Sequence, residues 1–415
     1  MNSDYMAHQS NEAQRCLNEK VYDTPVERML WRHEHVEIRR QQSWHTLQNA
    51  AILILIGILL VFSARCVYRF AARGHSRQPR TLDGNLNELK SELNLSPVDE
   101  NEDEHIAEFH EYIHRFDKKY SSIKEHWRRY LIFTKNRREL EIVRRQSNNT
   151  IFGMSEFSDM DDSELTSLLI PHSYSEPGLP QDLPHFDTAP AWPQTVKRPI
   201  QFDWRSRGAV TGIKNQGSCG SCYAFSVTAV VESLNVIAGG KRTKLSEQEL
   251  LDCDRQQMGC FGGYRPTSFR FVKQTGLVEE EFYSYTGTVG SCRLPTINKT
   301  RVFIDEMYGF DRNEDDMADW VATKGPISVG LNVTKEMFEY KGGVFDPSPE
   351  DCAQRSLGSH ALAIVGYGQM NGEDYWLMKN SWGPAWGAAG YLRMKRRVNS
   401  CGLANSAFGA LIKRQ

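Results

Sequence analysis

The sequence predicts an α+β protein with a helical subdomain followed by an antiparallel sheet, and with a small helical domain and one membrane-spanning helix ahead of them. Three observations carry this. Residues 222–238 (CYAFSVTAVVESLNVIA) are apolar around most of the helical circumference and stop at Gly239 and Gly240, the pattern of a helix buried on most sides. Residues 362–367, 375–378 and 390–394 are short, apolar, rich in β-favouring side chains and separated by glycines, which suits antiparallel strands. Residues 105–146 instead space Ile106, Phe109, Ile113, Phe116 and Tyr120 three or four apart, then Ile123, Trp127, Leu131 and Leu140 less regularly, as one or two amphipathic helices do.

The 415-residue chain can hold one large unit with accessory segments, or two to three average domains. Its formal charge of −2, with both signs scattered, argues against a broad basic surface, so no nucleic-acid partner is expected. Residues 1–46 read as a polar tail. Residues 50–64 (AAILILIGILLVFSA) form the one long apolar run. Fifteen helical residues reach only about 22 Å against a hydrocarbon core of about 30 Å, so the expected span is 47–68, with Arg65 snorkelling. Because 49 mostly polar residues precede the run, a retained single-pass anchor fits better than a cleaved signal or a buried core helix.

Orientation is contested. Arg65, Arg69, Arg73 and Arg77 follow the span, which by the positive-inside rule leaves the C-terminal part in the cytosol. Sequons at Asn148, Asn298 and Asn332, and the cysteines, point the other way. Seven of nine cysteines (Cys219, Cys222, Cys253, Cys260, Cys292, Cys352 and Cys401) lie in the C-terminal half, an odd number that allows bridges plus one thiol in an oxidising compartment. The cysteines decide the expectation: a lumenal or extracellular C-terminal part. Cys16 and Cys66 lie apart from this group, and Cys66 beside the span suits lipid attachment as well as an inert role.

Residues 69–104 are a polar spacer, and 105–170 the helical domain, which ends in an aromatic segment, FGMSEFSDM, at 152–160. Seven prolines between positions 171 and 199 make 171–198 a linker open to proteolysis, and 199–415 the main domain.

Chemistry concentrates in NQGSCGSCYAFS, 215–226. Its C-x-x-C is on its own a redox pair or half a metal site, but no second C-x-x-C completes a four-cysteine zinc site and no βαβ framing supports thioredoxin-like exchange. A cysteine in a helix's first turn has a different use, since the helix end favours the thiolate and makes Cys222 a nucleophile. Such a nucleophile needs an imidazole. His360 stands before an apolar strand, Asn380 follows another and can orient the ring, and Gln216 can donate to a developing oxyanion beside the Cys222 amide.

These residues resemble the papain family of cysteine proteases, in particular its cathepsin L-like branch with a helical propeptide. Cys219-Gly220-Ser221-Cys222-Tyr223 matches that family's C-G-[SA]-C-[WY] signature, with glutamine six residues before the nucleophile, histidine 138 and asparagine 158 residues after it. CFGG at 260–263 and NSWGPAWG at 380–387 extend the match. The resemblance implies a two-subdomain papain-like fold whose second subdomain is a barrel-like sheet. It implies Cys222 as nucleophile, His360 as acid–base, Asn380 as its orienter, Gln216 in the oxyanion hole and Trp382 shielding the Asn–His contact. It also implies disulfides Cys219–Cys260, Cys253–Cys292 and Cys352–Cys401, and a substrate pocket formed by Gly262, Gly263, Tyr264, Arg265, Ser406 and Trp382.

Upstream, Glu125, Arg129, Phe133, Asn136 and Leu140 follow the family's propeptide pattern, with Arg144 in place of its last asparagine. Gly153, Ser155, Phe157 and Asp159 follow a second pattern with serine for asparagine. The implied protein is a zymogen of a monomeric endopeptidase acting on peptides and proteins, inhibited by its own propeptide, without cofactor or metal. Arg265 implies tolerance of an acidic or polar P2 side chain. The alternative is a catalytically inactive, membrane-associated binding protein of the same fold.

Overall fold

The computed structural model describes residues 102–147, 149–172 and 198–413. The polar tail, the expected span at 47–68, nearly all of the spacer, the sequon at Asn148 and most of the linker lie outside these residues. Among the described residues no helix is long and apolar enough to cross a membrane.

The upstream domain is built on helices α1 (Glu102–Arg115) and α2 (Ile123–Gln146). Ser122 starts α2 by accepting the Glu125 amide at 3.1 Å, which satisfies a donor that has no carbonyl partner in the first turn. The helices cross through buried Phe109, Tyr112, Tyr130, Leu131 and Phe133, with Phe109 and Tyr112 each about 5 Å from the Phe133 ring. Ile123, expected on this sticky face, is instead 66% exposed, because it opens α2 ahead of the crossing. Asp159 then gathers the loop that follows: Tyr112, Tyr120 and Lys118 all donate to its carboxylate at 2.8 Å. Arg129 bridges Glu125 and Glu164 at 2.6 Å each, and Asn136 Nδ2 donates to the Ser158 and Met160 carbonyls at 3.0 and 2.9 Å. Arg144, the departure from the propeptide pattern, donates from Nε to the Phe152 carbonyl at 3.1 Å and so ties α2 to strand β1 (Thr150–Phe152). Helix α3 (Asp162–Thr166) closes the domain, its Asp161 cap reciprocated by Glu164.

In the main domain, helix α4 (Cys222–Ile237) is buried along all but its last turn. It packs on one side against a sheet and on another against helices α5 (Glu247–Cys253) and α6 (Arg265–Thr275), which is why its sequence is apolar all round. Among the described residues the sheet has seven strands: β2 (Phe202–Asp203), β3 (Glu306–Gly309), β4 (Ile327–Thr334), β6 (Ser356–Met370), β7 (Glu373–Lys379), β8 (Tyr391–Lys395) and β9 (Ala407–Leu411). Their order is β3-β9-β4-β6-β7-β8, with β2 also on β6, and every pairing is antiparallel. Strand β6 begins well before the apolar run that announced it, because pairing with β4, Leu331 opposite His360, holds its polar first half extended. Disulfides join Cys219 to Cys260, Cys253 to Cys292 and Cys352 to Cys401, and Cys222 lies outside them.

The two domains meet over the sheet. Strand β1 pairs antiparallel with β5 (Tyr340–Gly343), where a side chain at Gly343 would collide with the Asn149 carbonyl. Lys335 Nζ reaches Glu139 at 2.6 Å and Asp162 at 2.9 Å, and Phe157 sets its ring against Phe338 and Trp382 at 5.2 and 5.5 Å.

Candidate active site

Cys222 is the first residue of α4, fully buried. One turn later Ser226 Oγ donates to the Leu362 carbonyl at 2.7 Å, so the start of the helix lies against β6 two residues beyond His360. The thiol therefore sits at the N-terminal end of the helix, where the aligned peptide dipoles favour an anion, beside the strand that carries the imidazole.

His360 Nε2 lies 2.7 Å from Asn380 Oδ1. That amide oxygen also accepts the Ser381 backbone N–H at 2.8 Å, so it is an acceptor and Nε2 must carry the proton. In the neutral ring Nδ1 is then the basic nitrogen, and among the described residues it has no hydrogen-bond partner. Trp382 stacks on the imidazole with centroids 4.5 Å apart, and Phe338 stacks on the Trp382 ring at 4.5 Å. Both members of the His–Asn pair are buried. The neighbouring Trp386 packs edge-on to Trp382 and donates to the Phe338 carbonyl at 3.0 Å, a packing role. Burial drives the His360 pKa down to about 4, against the opposing pull of the Asn380 hydrogen bond, so the covered ring is neutral.

Gln216 is held at both ends of its amide. Ser381 Oγ donates to Oε1 at 2.7 Å, and Nε2 donates to the Cys219 carbonyl at 2.8 Å and to the Leu168 carbonyl at 3.0 Å. A backbone carbonyl of the upstream domain thus rests on the donor that the sequence assigns to an oxyanion. Two residues on, Ile170 exchanges N–H···O bonds of 2.8 Å in both directions with Ser359, next to His360. The upstream chain therefore lies across Gln216 and along the strand of His360.

Of the expected pocket residues, Gly262 meets the Ile170 side chain, and Gly263 lies so close to the Tyr223 ring that a Cβ would fall within 2.6 Å of it. Arg265 and Ser406, distant in sequence, are brought together: Arg265 Nη2 donates to Ser406 Oγ at 2.7 Å, with its guanidinium 5.3 Å from the Phe408 ring centroid. Tyr264 is buried edge-on to that same ring. Among the sequons, Asn298 is exposed, whereas Asn332 is half-buried within β4 and its Nδ2 donates to the Cys352 carbonyl at 3.2 Å.

Sequence reasoning missed a buried charge cluster behind Asn380. Lys214 Nζ contacts Glu232 and Glu247 at 2.8 Å each, Lys379 lies 3.7 Å from Glu232, and Thr211 bridges Lys379 and Glu232. Burial raises the Glu247 pKa to about 7, while Lys214 and Lys379 outweigh burial and lower that of Glu232. The cluster spans the two subdomains, tying the segment of Gln216 to the strand of Asn380. Two signals could have found it: Glu232 inside an otherwise apolar helix, and Lys379 ending an apolar strand. Glu339 was also missed. It is buried under the upstream domain, where Ser158 Oγ donates to it at 2.8 Å, and burial raises its pKa to about 7. Among the described residues no group of acidic, histidine or cysteine side chains has the arrangement of a metal site.

A helix headed by a thiol, a buried His–Asn pair on the facing sheet and an upstream domain laid across both define a peptidase of the cysteine type with its own inhibitor. Residues 198–411 match the model of the papain family cysteine proteases, and residues 109–165 that of the cathepsin propeptide inhibitor domain. The chain is 34% identical over 328 residues to cysteine protease XCP2 of Arabidopsis thaliana, covering 76% of this chain and 89% of that one. It is 35% identical over 307 residues to cathepsin F of Mus musculus, covering 73% of this chain and 64% of the relative. The digestive procathepsin L2 proteinase from Tenebrio molitor larval midgut superposes with a TM-score of 0.67 at 33% identity, covering 74% of this chain and 100% of that one. The protein belongs to the papain family of cysteine proteases and carries the family's propeptide, so it is a zymogen.

Proposed function

We propose that the processed chain is an endopeptidase working through Cys222, His360 and Asn380. The Cys222 thiolate attacks the scissile carbonyl while the Cys222 amide and Gln216 Nε2 take up the charge on oxygen. His360, protonated at Nδ1, gives that proton to the leaving amine, and a water deprotonated by the same nitrogen then releases the acyl group from sulfur. The observation that carries this reading is the 2.7 Å His360–Asn380 bond, sealed under Trp382 on a strand packed against the thiol-headed turn of α4. In the zymogen the Leu168 carbonyl on Gln216 and the burial of His360 supply the block, since the donor is occupied and the ring is uncharged.

Labelling with a peptidyl epoxide tests it: processed wild-type chain takes the label at Cys222 and cleaves peptides, and a Cys222→Ala chain does neither. Processed wild type with intact disulfides that takes no label and cleaves nothing refutes the assignment and favours a binding protein of this fold.

Arg265 and Ser406 support a P2 pocket with a cationic wall, which suits an acidic or polar P2 side chain. Three disulfides support an oxidising compartment, endolysosomal or extracellular, and Asn298 is the better-placed glycan acceptor. The membrane anchor at 47–68 rests on its apolar sequence, and protease protection of the C-terminal half in sealed microsomes tests both anchor and orientation.

A further inference from the structure

Resting on the peptidase reading above, we propose that Tyr285 is a positioning residue for the oxyanion site, one that sets the spacing of its two donors through a hydroxyl relay. The donors, the Gln216 side chain and the Cys222 amide, stand at the two ends of one loop. Tyr285 reaches this loop from a distant part of the chain, and its hydroxyl touches both ends. It lies 2.8 Å from the Gln216 carbonyl and 2.7 Å from Ser221 Oγ, the residue immediately before the nucleophile.

The direction of the relay follows from chemistry. A carbonyl only accepts, so the tyrosine O–H donates to Gln216, and Ser221 must donate its own proton to the tyrosine oxygen. Ser221 occupies the N-cap of α4, where a serine would ordinarily accept a helix amide, yet its side chain makes no such bond. Its other acceptor, the Cys219 carbonyl, is farther away at 3.4 Å. The tyrosine ring is held in turn, edge-on to Phe225 with centroids 4.9 Å apart. Burial lifts the hydroxyl pKa to about 12, so the relay keeps its proton at any pH where a peptidase works. The Gln216 backbone is thus anchored by Tyr285 and its side chain by Ser381, from opposite subdomains.

The test compares full-length wild type, Tyr285→Phe and Ser221→Ala after identical processing, by peptide-anilide hydrolysis and by alkylation of Cys222 with iodoacetamide. Alkylation forms the S–C bond as iodide leaves and develops no carbonyl oxyanion, so it reads the thiolate without the oxyanion donors. Complete loss of such a donor costs about 10²–10³-fold in kcat, and a displaced one less. Tyr285→Phe should lower kcat about tenfold, with KM and the alkylation rate within about twofold of wild type, and Ser221→Ala should follow with a smaller loss. An unchanged kcat in both variants, or alkylation falling in step with kcat, overturns the positioning role while leaving the peptidase assignment intact. A wild-type chain that neither cleaves nor alkylates at Cys222 overturns the assignment and the relay together.

Discussion

Replacing Glu339 by Gln should make the zymogen hold its inhibitor more tightly at neutral and alkaline pH, and leave it unchanged in acid. The carboxyl is buried beneath the Ser155–Ser158 loop, and burial raises its pKa from 4.5 to about 7, with Ser158 and Lys341 opposing. A group whose pKa is higher in the closed form binds its proton more tightly there. Its contribution to closure is therefore full below about pH 4.5 and is lost as pH rises through 7. A carboxyl raised from 4.5 to about 7 corresponds to about 3 kcal/mol, or on the order of a few hundredfold in the opening equilibrium at alkaline pH. Glutamine keeps an acceptor for Ser158 and never ionises, so it removes the penalty. The measurement is the rate at which Cys222 of the unprocessed chain is labelled by an epoxide, taken as a ratio of wild type to Glu339→Gln so that the thiol's own ionisation cancels. The ratio should be near one at pH 4.5 and exceed tenfold at pH 8. A ratio that does not change with pH refutes the reasoning. His360 acts in the opposite sense. Its pKa is depressed to about 4 in the covered site, so closure is favoured above its ordinary value of 6.5 and weakens as pH falls toward 4. Acid opening of the zymogen is thus a contest between these two buried groups.

Phe157→Ala empties the space beside Phe338 and Trp382; a half-buried ring there is worth about 2–3 kcal/mol, so unprocessed Cys222 should be labelled at least tenfold faster at pH 7. Glu232→Ala strands Lys214 and Lys379 in the interior and should cost about 3–5 kcal/mol in urea unfolding, whereas a loss under 1 kcal/mol would mean that the cluster relaxes without its central carboxylate. Arg265→Ala should lower the kcat/KM ratio of P2-Glu over P2-Leu peptides about tenfold, the worth of one charge-assisted hydrogen bond, and an unaltered ratio removes the cation from the specificity account.

The chemistry-bearing motif was legible because its physics is local. A cysteine opening an apolar helix, a histidine before a strand and an asparagine after one can each be read from a few neighbours. The apolar circumference of 222–238 likewise announced burial on more than one side, and α4 has sheet on one flank and helices on another. Local pattern failed where pairing partners decide the outcome. The polar start of β6 becomes a strand only because β4 lies beside it, and Ile123 stays exposed because the helices cross farther along.

By itself the amino-acid order determined which side chains could react and roughly where each element would form, since helix ends, apolar periods and short motifs act over a few residues. Only the tertiary structure decided what those side chains meet. It set the Leu168 carbonyl on Gln216, buried Glu339 under Ser158, and put Tyr285 between Gln216 and Ser221. Such contacts join residues from 48 positions apart, as for Leu168 and Gln216, to 181, as for Ser158 and Glu339, and arise from burial and hydrogen bonding that no local window contains.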